Sequence, residues 1–390
     1  MGENAILRYN SARLFAQSRT APETINPISL VTNFEFGFNI SRETVKSVGY
    51  SEILRPIVSN QRPYFSFSYF LSDMDNEKLF RMPVTSEQAL QDFIPIFTGL
   101  ETMDFFFLSA ENGSDMPHNA DDAYLRSNEL SACVFTGAFL SSYSMEILGS
   151  GLIKINTSWD AENVAFKNFL DISDDGYKFV DYDREDLEPT DRQIFQLNDG
   201  VEDINLGVGG FETQGRMQNF NFSANIPTKT LYDFGQYSHK KDIKFPIESS
   251  ISITAFVSKQ MRGSLDNIIC SDKGVDFLFS NFRGRSCEDD LVRDDKSGFL
   301  FKDAKIRSQR YSLNTERGNY FTADLEFTIY ITKEKGVYFS QHKTKEGATI
   351  APEDTQMVNK ILLESPEAGG ILEEVAIEMI RNLRKLRDQV

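Results

Sequence analysis

At 390 residues, 40% of them hydrophobic and 33 of them phenylalanine, the chain is long enough for two domains and rich enough in apolar surface to build their cores. A net charge of -17 and a pI of about 4.8 exclude a protein that grips nucleic acid by neutralising phosphates. A mean hydropathy of -0.36 and the lack of any run of about 18 apolar residues predict no membrane span.

The opening stretch MGENAILRYNSARLF has no basic region leading into an apolar run, so no signal peptide is expected. Ile6 stands where a myristoylation site after Gly2 needs Ser or Thr. Cys133, Cys270 and Cys287 are odd in number and far apart. This argues against a disulfide framework and a thiolate zinc site, and fits folding in a cytosol.

At 33–50 the chain reads NFEFGFNISRETVKSVGY, and at 219–236 it reads NFNFSANIPTKTLYDFGQ. Extended without a gap to 33–72 against 219–258, the match holds eleven identities in forty positions. Average residue usage predicts about two or three. The offset is too long for a solenoid period and implies a duplicated domain.

Inside the repeat, FSFSYFLS alternates Phe65, Phe67, Tyr69 and Leu71 with Ser66, Ser68, Phe70 and Ser72. ISITAFVS alternates Ile251, Ile253, Ala255 and Val257 with Ser252, Thr254, Phe256 and Ser258. Period two with one apolar face is a half-buried strand, and the shared parity implies a shared sheet. Phe65, Phe67, Tyr69, Leu71, Ile251, Ile253 and Val257 are therefore the expected core. After the first strand, TSEQALQDFI reads as a short helix capped by Thr85 and Gln88, with Leu90, Phe93 and Ile94 buried. GSLDNIIC, capped by Ser264, is its counterpart. DFFFLS from Asp104 and DFLFSN from Asp276 then read as strands, followed by FTGAFLSSYSMEIL and GLIKINTSWDA in the first copy and by FKDAKIRSQRYSL and NYFTADLEFTIYIT in the second. In that last run Asp324 and Glu326 fall opposite Phe321, Ala323, Leu325 and Phe327.

The expected organisation is a first β domain at 1–166, an acidic surface linker at 167–210, a second β domain at 211–332 and a tail at 333–390. Leu372, Ala376, Met379, Leu383, Leu386 and Val390 form a heptad stripe on a C-terminal helix over 370–390. Under three heptads is too short for an independent coiled coil, so Leu372, Met379, Leu383 and Leu386 are expected to dock on a neighbouring subunit or ring, with packing on their own domain as the alternative.

Chemistry is sparse. His118, His239 and His342 belong to no nucleophile or metal motif, and SDMPHNADDAY around His118 reads as a polar loop. DISDDGYKFVDYDRED begins like a calcium loop, with Asp171, Ser173, Asp175 and Gly176. Tyr182 then occupies the place of the bidentate Glu, so a solvated linker is the reading. GVGG before Phe211 lacks the strand-to-helix context of a phosphate loop. No catalytic residue, metal ligand or cofactor is expected, and the chain is read as a non-enzyme.

The repeated phrase, with NISRETVKSVGY, RPIVSNQRPYFSFSYFLS, NIPTKTLYDFGQ and IKFPIESSISITAFVS, resembles the domain of phage tail tube proteins; SARLFAQSRTAPETINPISLVTNFEF resembles that family's opening hairpin. The resemblance covers roughly residues 9–332. It implies a mainly β fold: two tandem β-sandwich or open-barrel domains, each with a flanking helix. It also implies homotrimer rings of pseudo-sixfold symmetry that stack into a tube. Implied partners are further copies of the chain, tape-measure, terminator and baseplate proteins, and genomic DNA that passes without specific binding. The implied place is the virion tail, after folding in the host cytoplasm, with no membrane contact. Ser66, Ser68, Ser252, Thr254, Asp324 and Glu326 would border the lumen. A terminator, distal-tail or baseplate ring of the same fold is the alternative within this class. A carbohydrate-binding β-sandwich adhesin is the alternative outside it, and a hydrolase using unassigned carboxylates lacks any constellation to support it.

Overall fold

The computed structural model describes residues 12–20, 24–39, 42–44, 56–58, 62–71, 74–85, 94–110, 116, 130–147, 152–168, 179, 211–212, 217–232, 239–256, 259–260, 275–282, 296–314 and 320–342. The first part of the chain forms β1 (Ala12–Ser18), β2 (Asn26–Pro27), β3 (Val31–Asn39), β4 (Arg42–Thr44), β5 (Pro56–Val58), β6 (Arg62–Phe70), α1 (Asp75–Leu79), β7 (Val84–Thr85), β8 (Met103–Ala110), β9 (Leu130–Ile147), β10 (Ile153–Asp160) and β11 (Asn163–Asn168). The second forms β12 (Phe211–Glu212), β13 (Met217–Asn225), β14 (Thr228–Tyr232), β15 (His239–Ile243), β16 (Ile247–Phe256), β17 (Lys259–Gln260), β18 (Val275–Phe282), β19 (Lys296–Asn314), β20 (Tyr320–Ile331) and β21 (Val337–His342).

Phenylalanine, isoleucine and serine in strict alternation make strands that are apolar on one face, and such strands must pair side by side and then be covered. They do so in the order β3-β6-β10-β9-β13-β16-β20-β19, an eight-stranded antiparallel sheet. Its two halves, β3-β6-β10-β9 and β13-β16-β20-β19, have the same strand order and register. Phe34 faces Phe67 in the first, and Phe220 faces Ile253 in the second. The run Tyr69–Ile155–Met145 is matched by Ala255–Ala323–Tyr311.

Two smaller sheets cover the apolar face, and each is a continuation of a long strand. β9 pairs with β8 and β11 through its first half and with β10 and β13 through its second. β19 pairs with β18 and β21 first and with β20 afterwards. A strand turns such a corner through a left-handed residue, and both corners have one at the matching place: Gly137 with φ 63° and Asp303 with φ 58°. The Gly137 amide donates to Asp104 Oδ1 at 2.7 Å, and Arg19 Nε donates to the same oxygen at 2.9 Å. A Cβ on Gly137 would run into the Glu162 carboxylate.

One apolar core runs through both halves, from Phe65, Phe105 and Trp159 to Phe222, Phe301 and Phe327. Trp159 lies 4.7 Å from Phe105 and 5.2 Å from Phe80 between ring centroids; Phe301 lies 5.3 Å from Phe222. α1 closes the first half. Its Glu77, fully buried, accepts from Tyr69 Oη at 2.6 Å and from Tyr143 Oη at 3.2 Å, while Asn76 exchanges two hydrogen bonds with the backbone of Ser29. Burial first, and the Glu77 charge second, hold both phenols well above their ordinary value.

Several sequence expectations need correction. α1 is the helix found among the described residues. Of the helix expected over 85–94, Thr85 belongs to β7 and residues 86–93 lie outside the described residues, as do the second-copy helix at 263–270 and Val257. Within the acidic linker, read as a surface connection with some local structure, one described residue packs inward. Phe179 bridges to Ile25 and is buried on the outer face of the first flanking sheet, 5.3 Å from Phe15 and 5.7 Å from Phe106. The segment after Thr332 begins with a strand, β21, whose Val337 and Phe339 are buried. It also takes β7 from the first copy as a parallel neighbour. The stripe of Leu372, Met379, Leu383 and Leu386 lies outside the described residues.

Gly137→Ala should lower the unfolding free energy by about 1–2 kcal/mol from the left-handed backbone alone, with the Glu162 contact adding to it. The fall in urea midpoint measures this. The raised phenols predict an alkaline limit. Stability from Tyr69 and Tyr143 is fully present below about pH 10 and is lost as pH rises further, because the unfolded chain ionises first. Phenolate absorbance should show these two tyrosines titrating only as the fold is lost, and Tyr143→Phe should shrink that step.

Candidate functional site

The register turns the central sheet into rows. One row, Val31–Tyr69–Ile155–Met145–Phe222–Ile251–Phe327–Ile306, crosses all eight strands and is apolar throughout. Beside it, on the other face, Asn33–Ser68–Asn156–Ser144–Ser223–Ser250–Thr328–Lys305 is polar throughout. Among the described residues, a sheet eight strands wide thus has one face covered by the flanking sheets and an opposite face that is mainly polar.

The residues singled out from sequence fall on these faces as follows. Phe65, Phe67, Tyr69, Leu71, Ile251 and Ile253 are buried. Ser66, Ser252, Thr254, Asp324 and Glu326 are on the polar face, partly or fully exposed, and Ser68 is on it but nearly buried. Cross-strand hydrogen bonds tie the polar side chains down. Ser68 donates to Asn156 at 2.7 Å, Thr254 to Asp324 at 2.9 Å and Ser308 to Glu326 at 2.9 Å. Sequence reasoning missed the basic members of this face, Lys154, Lys305 and Arg310. Lys154 stands opposite Glu146, and Arg310 opposite Asp324. The alternation in GLIKINTSWDA and in SQRYSL carried that information for Lys154 and Arg310, whereas Lys305 is out of step with Arg310 and reaches this face through the register shift between Ile306 and Ser308.

The sheet ends in two open edges. Among the described residues β3 pairs only with β6, and the second half of β19 only with β20. These are the same two kinds of edge that meet inside the chain, where β9 pairs with β13. The side chains register the difference. Phe222 is fully buried beside β9, whereas Phe36, its match on β3, is 39% exposed. Phe339 on β21 is 1% exposed under Tyr143 and β7, whereas Phe166, its match on β11, is 66% exposed. Phe38 is exposed as well, so an aromatic patch borders the β3 edge.

No group of three or more His, Cys, Asp or Glu that could hold a metal ion occurs among the described residues. Cys133 is a buried thiol pushed up to about 12 by burial, which suits packing and not nucleophilic chemistry. His118, Asp115, Asp121 and Asp122, and likewise Asp171, Ser173, Asp175, Gly176 and Tyr182, lie outside the described residues. No helix among the described residues is long and apolar enough to cross a membrane.

No family model matches the chain, and no curated protein matches it. Among solved structures it is similar to a chain of the 6-fold symmetrised cryo-EM structure of the anti-feeding prophage (AFP) baseplate. The match has 8% identity and a TM-score of 0.25, over 43% of this chain and 99% of that one. A likeness of that extent carries no argument about fold or function, and the reading rests on the sheet itself.

The matched phenylalanines give a direct test of the edge. Phe166→Ser should change the unfolding free energy of the dilute protein by no more than about 0.5 kcal/mol, and Phe36→Ser, which gives up ring contacts to Phe34 and Phe135, should cost about 1–2 kcal/mol. Phe222→Ser and Phe339→Ser should each cost about 3–5 kcal/mol. Urea unfolding of the four variants measures the contrast.

Proposed function

We propose that the chain is a structural ring subunit of a phage-type tail. In this reading residues 1–166 and 211–332 each supply one tube-type domain, three chains supply six, and stacked rings form the conduit through which genomic DNA leaves. The chain works by self-assembly and catalyses nothing. Its other partners are the tape-measure, terminator and baseplate proteins, and its place is the virion tail after folding in the host cytoplasm.

One observation carries this reading. Two equivalent four-strand units are joined edge to edge by β9 and β13, and the edges left open are a second pair of the same kind. A joint that uses two different edges is heterologous; repeated, it closes a ring if the rotation allows and otherwise makes a filament. Closure also satisfies the unpaired backbone groups that make an open sheet edge hazardous. In a closed ring the polar face lines one wall. With Lys154 facing Glu146 and Arg310 facing Asp324, its bases have carboxylates beside them, which limits retention of a passing polyanion.

Mass photometry and negative-stain microscopy of the purified chain test the reading. Trimers, rings and tubes are expected. Rings that never stack would move the assignment to a terminator, distal-tail or baseplate ring of the same fold. Six chains per ring would overturn the trimer, and a stable monomer at every concentration would overturn the assembly reading in favour of an adhesin.

A further inference from the structure

Resting on the ring reading, we infer that residues 308–313 of β19 pair antiparallel with β3 of a second copy of this chain in the register of the internal β9–β13 joint. We further infer that this chain-to-chain joint carries an ion pair, Arg310 to Glu35, which the internal joint lacks. The internal register sets Phe220 against Ile147, Asn221 against Glu146, Phe222 against Met145 and Ser223 against Ser144. The matched positions in the outer joint set Phe34 against Leu313, Glu35 against Ser312, Phe36 against Tyr311 and Gly37 against Arg310. Parity is preserved: Phe34 and Phe36 arrive on the covered face with Tyr311, and Glu35 and Gly37 arrive on the polar face with Arg310.

The pairing explains what the isolated chain leaves exposed. Phe36 and Phe38 gain the neighbour that buries Phe222 and Ala224 at the matching places inside the chain. It also makes sense of a glycine. Gly37 sits beneath the exposed ring of Tyr64, whose hydroxyl would lie 2.8 Å from an added Cβ. A guanidinium arriving opposite Gly37 meets no side chain there. It finds the Tyr64 ring beside it and the Glu35 carboxylate at the diagonal position, about 7–8 Å between backbones and within reach of a long side chain. At the internal joint the same four positions are Asn221, Ser144, Ser223 and Ser250, all neutral. The two joints therefore differ in chemistry. Across the joint within a chain no opposite charges meet at these positions, whereas the one between chains is strengthened by opposite charge and weakened by salt.

Disulfide trapping tests the register on the full chain. Directly opposite residues lie about 4.5–5.5 Å apart at Cα, within the span of a disulfide. Under mild oxidation Glu35→Cys with Ser312→Cys should give covalent trimers on a non-reducing gel. Glu35→Cys with Gln309→Cys, on opposite faces, should give none beyond the wild-type background. Charge exchange tests the ion pair. E35R and R310E should each weaken assembly about tenfold at low salt, and the double variant should recover most of the loss. Assembly of the wild-type chain together with no covalent trimer from the Glu35→Cys, Ser312→Cys variant overturns the register while leaving the ring reading standing. A double charge variant no better than either single one overturns the ion pair. A wild-type chain that stays monomeric overturns both the register and the ring.

Discussion

Six residue pairs between β9 and β13, from Ile147–Phe220 to Ser142–Asn225, hold the two halves of the molecule in one sheet. Most of what is distinctive in the structure depends on that joint. It fixes the register of the apolar row across all eight strands, so that the core of the first half continues into the core of the second. It buries Phe220, Phe222 and Ala224, whose partners on β3 have no such neighbour. It also brings β7 and Tyr143 of the first copy over β21 and Phe339 of the second. A backbone edge is directional and unsatisfied until paired, and with one edge of each half joined here, β3 and the second half of β19 keep an unpaired edge among the described residues.

The corners of β9 and β19 make the joint possible. A strand that stayed in one plane would extend the central sheet and leave its apolar face to water. By turning at Gly137 and at Asp303, one strand serves both layers of the sandwich. The two copies have diverged around this shared frame. The first closes its core with Glu77 between two tyrosines, while the positions matching Tyr69 and Tyr143 in the second are Ala255 and Gln309. The first also covers the outer face of its flanking sheet with Phe179.

The polar face shows how far local pattern reaches. Ser66 and Ser68 could be set opposite Phe65 and Phe67 because both lie within one run of alternating residues. Lys154 and Arg310 alternate just as regularly, yet their place on the same face as Ser252 and Asp324 depends on β10 and β19 joining the same sheet. Their neighbours, Glu146 and Asp324, lie on other strands. The pairing of bases with acids across strands is a property of register.

From its sequence alone this chain reads as a mainly β protein with one phrase written twice. Period-two alternation specifies a strand and its apolar face from a few neighbouring residues, and a repeated phrase specifies a repeated fold wherever its copies lie. That is why the face of Phe65 and Ile251 and the strands after Asp104 and Asp276 were legible. Tertiary structure alone decided which edges meet, that Phe339 is covered while Phe166 is not, that Phe179 of the acidic linker packs inward, and that the second half includes β21. Each of these is a contact between residues far apart in the chain. Alternation says which way a side chain points relative to its own strand and nothing about which strand lies alongside. That choice is made by the whole set of pairings that satisfies the backbone and covers the apolar face at once.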